Sequence, residues 1–232
     1  MPAHRTPYRT LWRAAAPAPP TRPPARALAG LVRSEPGVGG EADRAAGAAA
    51  TRFAGERPAL ERALLVGQEA LAARWMNLAA MGVCVWAWRR HGLGSRAAWA
   101  AGALWGAWAL GGGAKEVVGR ARPVLEDAVS TVPGASFPSG HAMNAAAVGV
   151  TLSVLVWPLL GRRGRVAVVG GATALALVTA ADRVLLGAHY PSYVVGGILC
   201  GGAVAGASAV GFPGGSAARG GRPSGDTPRN EV

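Results

Sequence analysis

The chain of 232 residues is 50% hydrophobic and only 16% charged, which excludes an intrinsically disordered protein, and its 35 glycines follow no triplet repeat, which excludes collagen. The formal net charge of +12 indicates, taken alone, an anionic partner such as nucleic acid or a membrane surface. Both cysteines lie in apolar runs, so they are interpreted as buried small hydrophobic residues and predict neither a disulfide nor a metal pair.

The two ends of the chain differ in composition from its centre. Residues 1–56 are rich in proline and arginine without a sustained apolar period, which predicts a disordered tail. In residues 58–73 leucines recur at helical spacing opposite charged residues, which predicts an amphipathic helix lying in a membrane interface. Residues 57–212 as a whole are predicted to form a membrane-embedded domain, and residues 213–232 a flexible C-terminal tail.

Long apolar runs without charge fill the centre of the chain. The four long runs are 97–114, 142–160, 166–181 and 193–212, and a shorter fifth run is 75–88. Since a membrane-spanning helix needs about 20 apolar residues, the runs predict an all-α polytopic membrane bundle of about five transmembrane helices plus the amphipathic helix. The alternative is a soluble bundle of buried helices, which four uncharged runs in so small a chain disfavour.

The loops between these runs carry unequal charge. Loops 89–96 and 161–165 hold six arginines and no acidic residue, whereas basic and acidic residues balance in loops 115–141 and 182–192. The positive-inside rule then places the arginine-rich loops in the cytoplasm and the balanced loops on the extracytoplasmic face. The same topology would place the arginine-rich N-terminal tail outside, which conflicts with the positive-inside rule. Either the amphipathic helix re-enters the membrane or the first span is misassigned.

Residues able to bind an anion gather in the first outer loop. Lys115 and Arg122 are seven residues apart, about two helical turns, so both can point to one side. Ser139 and Gly140 open the third apolar run, where the backbone N–H groups and the positive end of the helix dipole make a ready anion site. His141 stands at the mouth of this predicted site.

The second outer loop adds another cation and another imidazole. Arg183 is followed six residues later by His189. Arginine and lysine side chains bind phosphate through charge-assisted hydrogen bonds, and a histidine attacks phosphorus or moves protons near neutral pH. The two loops together therefore predict a phosphoryl-transfer site on one face of the membrane.

The succession K-x6-R-P, P-S-G-H and R-x5-H resembles the type 2 phosphatidic acid phosphatase family, over roughly residues 75–212. These proteins are integral membrane lipid phosphatases related to vanadium-dependent haloperoxidases. The resemblance implies that no metal or other cofactor is needed. It also implies a role for each motif residue: Lys115, Arg122 and Arg183 hold the phosphate, Ser139 and Gly140 bind its oxygens, His141 is the general acid, and His189 is the nucleophile that forms a phosphohistidine.

Two positions depart from the family pattern. Asp182 stands where the family usually has serine, which puts a carboxylate beside the expected phosphate cradle. Tyr193 stands where the family usually has an aspartate that orients the nucleophilic histidine, and a tyrosine hydroxyl carries no charge below about pH 10. Tyr193 or Asp182 is therefore the candidate for orienting His189.

The resemblance implies hydrolysis of a phosphate monoester or diphosphate on a lipid, such as a phosphatidic acid-like lipid or a polyprenyl diphosphate, at the outer face of the cell membrane. The alternative is a weakly active or inactive membrane protein that binds a lipid phosphate, which Tyr193 favours. Vanadate-dependent oxidation is disfavoured because the haloperoxidases are soluble. Nucleic acid is not an expected partner, since the positive charge lies in the tails and inner loops. A homo-oligomer is left open.

Overall fold

The computed structural model describes residues 40–119 and 136–212, and every regular element within these ranges is helical. The helices are α1 Gly40–Gly55, α2 Pro58–Ala70, α3 Ala73–His91, α4 Gly94–Val118, α5 Gly140–Val156, α6 Arg162–Leu185 and α7 Pro191–Val210, with a 3-10 turn at Trp157–Leu159. The predicted all-α architecture is confirmed. The predicted C-terminal tail, 213–232, lies outside the described residues.

Helix α5 lies at the centre of the bundle, where it packs against α3, α4, α6 and α7. Its apolar stretch is 61% buried, whereas that of α6 is only 6% buried. Helix α6 consequently exposes large apolar side chains such as Val166, Leu177 and Val178. In water such a face would be costly, but lipid covers it at no cost, so the fold is that of a membrane bundle.

The core helices alternate in direction, so the bundle has two ends. At one end Arg96 Nη1 donates to the backbone oxygen of Val154 at 3.1 Å, which joins the start of α4 to the end of α5. At the same end Trp99 Nε1 donates to the backbone oxygen of Ser208 at 3.1 Å, which adds the end of α7. The end of α4 and the starts of α5 and α7 meet at the other end, which we call the site end.

All five predicted apolar runs are helical, but they are not equally apolar. Among the described residues, three helices are long and apolar enough to cross a membrane, and a fourth span results if α2 and α3, which are bent by 52° at their junction, form one broken span. Helices α3 and α4 do not qualify as membrane spans by themselves. Tryptophan and glycine in both helices, and the arginines at the end of α3, lower their mean hydropathy. The bend between α2 and α3 fits the re-entrant alternative that the N-terminal charge left open.

Helix α1 lies in the segment that was expected to be a disordered tail. Residues 1–39 are outside the described part of the chain, but Gly40–Gly55 is helical, so the expectation does not hold there. This stretch is rich in alanine, with acidic residues in its first turn and arginine in its last, all of which favour a helix. Buried Ala54 then packs with Leu64 of α2 and Leu186.

Asp43 fastens α1 to the start of α7. Its carboxylate accepts a hydrogen bond from the backbone N–H of Ser192 at 3.1 Å and another from the Ser192 hydroxyl. Ser192 lies in the first turn of α7, where backbone N–H groups have no partner within the helix. Asp43 of α1 therefore caps the start of α7. This helix start follows directly after the segment that carries His189.

Replacing Asp43 by alanine is expected to lower the free energy of unfolding by about 1–3 kcal/mol, because two hydrogen bonds to a buried carboxylate are lost. Thermal unfolding of the detergent-solubilised protein measures the change. Glu41→Ala is the matched control, since Glu41 is an exposed acidic residue in the same first turn of α1. Equal destabilisation by the two substitutions would show that the contact with Ser192 does not anchor α1.

Candidate active site

The start of α5 presents hydrogen-bond donors of the kind that suit an anion. Ser139 precedes the helix with extended backbone angles, and its hydroxyl makes no capping bond. This hydroxyl is completely buried and has no hydrogen-bond partner among the described residues. A buried hydroxyl without a partner is costly, so Ser139 and the backbone N–H groups of the first turn offer donors to a bound ligand.

Lys115 reaches this helix start from the last turn of α4. Its Nζ lies 3.1 Å from the position that a Cβ would take at Gly140. Any side chain at Gly140 would therefore press on the ammonium group, and glycine lets Lys115 approach the helix backbone closely. The positive end of α5 and a lysine charge thus coincide at one point, which suits a phosphate.

A cavity of about 370 Å³ opens beside this point. Its polar lining residues are Lys115, His141 and Asn144, and alanine, glycine, methionine and tryptophan side chains form the rest. The Asn144 Nδ2 atom is buried without a hydrogen-bond partner among the described residues. A cavity with ionisable groups at one end and apolar walls matches the shape of an amphiphile, with its charged group beside Lys115 and its carbon skeleton against the walls.

Arg183 lies at the end of α6, almost wholly buried and bound on both sides. Its Nε donates to Asp182 Oδ2 at 2.8 Å, its Nη2 donates to the same oxygen, and its Nη1 donates to Gln68 Oε1 of α2 at 3.1 Å. The carboxylate that departs from the family pattern is therefore paired with the arginine beside it. These bonds use three of the five guanidinium N–H groups, and two remain for a phosphate as far as the described residues go.

His189 follows α6 after a tight turn. Gly187 has a φ of 69°, a left-handed conformation that favours glycine, and it reverses the chain after the helix. The backbone N–H of His189 then donates to the carbonyl of Arg183 at 3.2 Å, which fixes one residue relative to the other. The imidazole is buried, and its Nδ1 lies 2.9 Å from Ser136 Oγ.

The contact between α5 and α7 holds the start of α5 close to the segment that carries His189. The backbone N–H of Ser139 donates to the carbonyl of Tyr193 at 3.1 Å. A Cβ at Gly197 would lie only 2.6 Å from the Ser139 oxygen, so the two helices approach closely because Gly197 has no side chain. This contact places the segment of His189 next to the start of α5.

The structure thus gathers most of the predicted site residues at the site end. Lys115, Gly140 and His141 line the cavity. Ser139, Arg183 and His189 lie buried at the same end, linked to the start of α5 through Ser136 and Tyr193. Arg122 falls outside the described residues. Within the described ranges, no three His, Cys, Asp or Glu side chains group together as a metal site.

Three residues that sequence reasoning did not single out bear on the site. They are Ser136 at His189, Gln68 at Arg183, and Asp43 at the start of α7. Tyr193, which the sequence did single out, packs its ring edge-on against the rings of Phe137 and Tyr190, with centroid distances of 5.5 Å and 5.4 Å. The only sequence signal for Ser136 is its position just ahead of the Phe-Pro-Ser-Gly-His motif.

Comparison with known proteins bears on the family and the fold. The family model described as the PAP2 superfamily matches residues 96–214, just over half of the chain. A crystal structure of a transmembrane PAP2-type phosphatidylglycerolphosphate phosphatase from Bacillus subtilis is similar in fold, with a TM-score of 0.68 and 21% sequence identity. The similarity covers 83% of this chain and 96% of that one. No curated protein matches the sequence.

Proposed function

Since this chain belongs to the PAP2 superfamily, we propose that it is a membrane phosphatase that hydrolyses a phosphate monoester or diphosphate on a lipid. The observation that carries the proposal is the meeting at the start of α5 of the Lys115 ammonium, His141 and the Ser139 hydroxyl, which has no hydrogen-bond partner in the described part of the chain. These groups lie beside a cavity with apolar walls, where the lipid portion of a substrate would lie. The proposed place of action is the extracytoplasmic face of the cell membrane.

The proposed reaction has two steps. In the first, Nε2 of His189 attacks the terminal phosphorus and the bond from phosphorus to the leaving oxygen breaks, which is the lipid alcohol oxygen of a monoester or the bridging oxygen of a diphosphate. His141 gives its proton to that oxygen. In the second, His141 takes a proton from water as the water oxygen attacks phosphorus, the bond between phosphorus and Nε2 breaks, and inorganic phosphate leaves. Lys115, the start of α5 and Arg183 would stabilise the charge on the equatorial oxygens, with Arg122 as a further proposed contact.

Two features favour a second candidate, a protein that binds a lipid phosphate and turns it over slowly or not at all. Asp182 is paired with Arg183, so the net charge of this pair is zero at the proposed cradle. Tyr193 also lacks the charge that would stabilise a histidine cation. Both features would lower the rate, while Lys115 and the start of α5 would still attract the phosphate.

The purified protein in detergent is expected to release inorganic phosphate from at least one of phosphatidic acid, phosphatidylglycerolphosphate and a polyprenyl diphosphate. Release should persist in a chelator, because no step of the proposed reaction uses a metal. Tyr193→Asp is expected to raise the rate, since a carboxylate near His189 would stabilise the imidazolium. Wild-type protein that binds these lipids but releases nothing, with activity in Tyr193→Asp, would favour the binding protein instead.

A further inference from the structure

A hydrogen-bonding contact joins Ser136 to the proposed nucleophile, His189. Its hydroxyl oxygen lies 2.9 Å from Nδ1 of His189, a normal hydrogen-bond distance. Ser136 is completely buried and His189 is 4% exposed, so water does not compete readily for this bond. The two residues are 53 positions apart in the sequence, and the fold alone brings them together.

We propose that Ser136 is the positioning residue that holds the His189 imidazole in the orientation and tautomer needed for attack on phosphorus. This inference rests on the proposed function. A neutral imidazole carries one N–H and one lone pair, so a group that accepts a hydrogen bond from Nδ1–H leaves the lone pair on Nε2. In the proposed arrangement the serine hydroxyl accepts that bond from Nδ1–H, and Nε2 is then the nucleophilic atom.

The backbone around both partners keeps this contact in place. The N–H of His189 donates to the Arg183 carbonyl at 3.2 Å, which fixes the histidine at the end of α6. Ser136 belongs to the short segment before α5, and Ser139 of that segment is bonded to the Tyr193 carbonyl. An oriented imidazole loses little freedom on reaching the transition state, which is the usual benefit of a positioning group.

Asp182 and Tyr193, the acidic and phenolic candidates, also make contacts of their own. The Asp182 oxygen Oδ2 accepts two bonds from Arg183. The Tyr193 ring lies edge-on between Phe137 and Tyr190. In the proposed arrangement Ser136 orients the imidazole, as the missing carboxylate would, but it supplies no negative charge. His189 should therefore keep a defined tautomer, but no negative charge from Ser136 stabilises its imidazolium form.

Ser136→Ala is expected to lower kcat for lipid phosphate hydrolysis by about 10–100-fold with little change in KM, the size typical of an orienting partner. Ser136→Thr, which keeps the hydroxyl, should recover much of the loss. Nitrogen-15 NMR of the detergent-solubilised protein supplies a readout that needs no activity, with His189→Ala identifying the signal. Wild-type His189 should show the Nδ1–H tautomer, and Ser136→Ala a mixture of both.

Ser153→Ala is the matched control, because Ser153 is another buried serine whose hydroxyl bonds within α5 to the Gly149 carbonyl. It should change neither the His189 spectrum nor kcat. An unchanged tautomer in Ser136→Ala, or a loss of activity seen only as a higher KM or a lower melting temperature, would overturn the proposal. A wild type without phosphatase activity but with the serine-dependent tautomer would refute the proposed function and leave the role of Ser136 standing.

Discussion

Replacing His189 by alanine is expected to lower phosphate release by about 10³-fold or more, because the enzyme then lacks the nucleophile and its substitute is at best an unoriented water. A trapped phosphoryl-enzyme should disappear in the same variant. Rapid quenching with a phosphorus-labelled substrate measures the trapped species, and steady-state phosphate release measures turnover. Both readouts should fall together, since the same nitrogen forms the bond to phosphorus and later loses it.

His91→Ala is the control for a lost histidine. His91 is exposed at the end of α3, on the opposite end of the bundle from the site, where its ring packs against Trp86. Its removal should leave both readouts unchanged. Persistence of a phosphoryl-enzyme in His189→Ala would assign the nucleophile to another residue and refute the proposed mechanism.

The leaving group separates the roles of the two histidines. A lipid alkoxide needs a proton as it departs, whereas nitrophenolate does not. His141→Ala should therefore lose most activity on a lipid phosphate but keep much of it on para-nitrophenyl phosphate. His189→Ala should lose both. Equal losses on both substrates in His141→Ala would show that His141 does more than protonate the leaving oxygen.

The sequence predicts the start of α5 well because the relevant residues are close together in the chain. Ser139, Gly140 and His141 are consecutive, and a helix start has the same free N–H groups wherever it occurs. The pairing of Asp182 with Arg183 is equally local. Apolar runs likewise identify the core helices, since a span needs a minimum length of apolar residues.

Contacts between distant segments are what the sequence does not predict. Nothing in the spacing of Ser136 and His189 indicates that they touch, and the same holds for Gln68 and Arg183. Composition also misleads in the first 56 residues, because the proline-rich part obscures an alanine-rich stretch whose helix is stabilised by Asp43 and by packing on α2 and α6. Only the fold reveals which polar side chain meets which.

Replacing Gly201 by alanine is expected to destabilise the protein by about 1–3 kcal/mol, although alanine is the better helix former. A Cβ at Gly201 would overlap the backbone oxygen of Met143 in α5, well inside van der Waals distance. Backbone cannot rotate away as a side chain would, so α5 and α7 must separate. Gly197 lies one turn earlier on the same face, against Ser139, which makes this a membrane helix contact between small residues.

The separation would also disturb the site, because the bond from Ser139 to the Tyr193 carbonyl crosses the same interface. Melting temperature in detergent and phosphate release should therefore fall together in Gly201→Ala. Gly202→Ala is the matched control, since a Cβ there meets nothing within 4 Å. That variant should be as stable as the wild type or more stable, by about 0.5–1 kcal/mol, because alanine loses less backbone entropy. Similar stability of the two variants would show that α5 and α7 do not approach as closely as described, and the geometry that places His189 beside the start of α5 would lose its support.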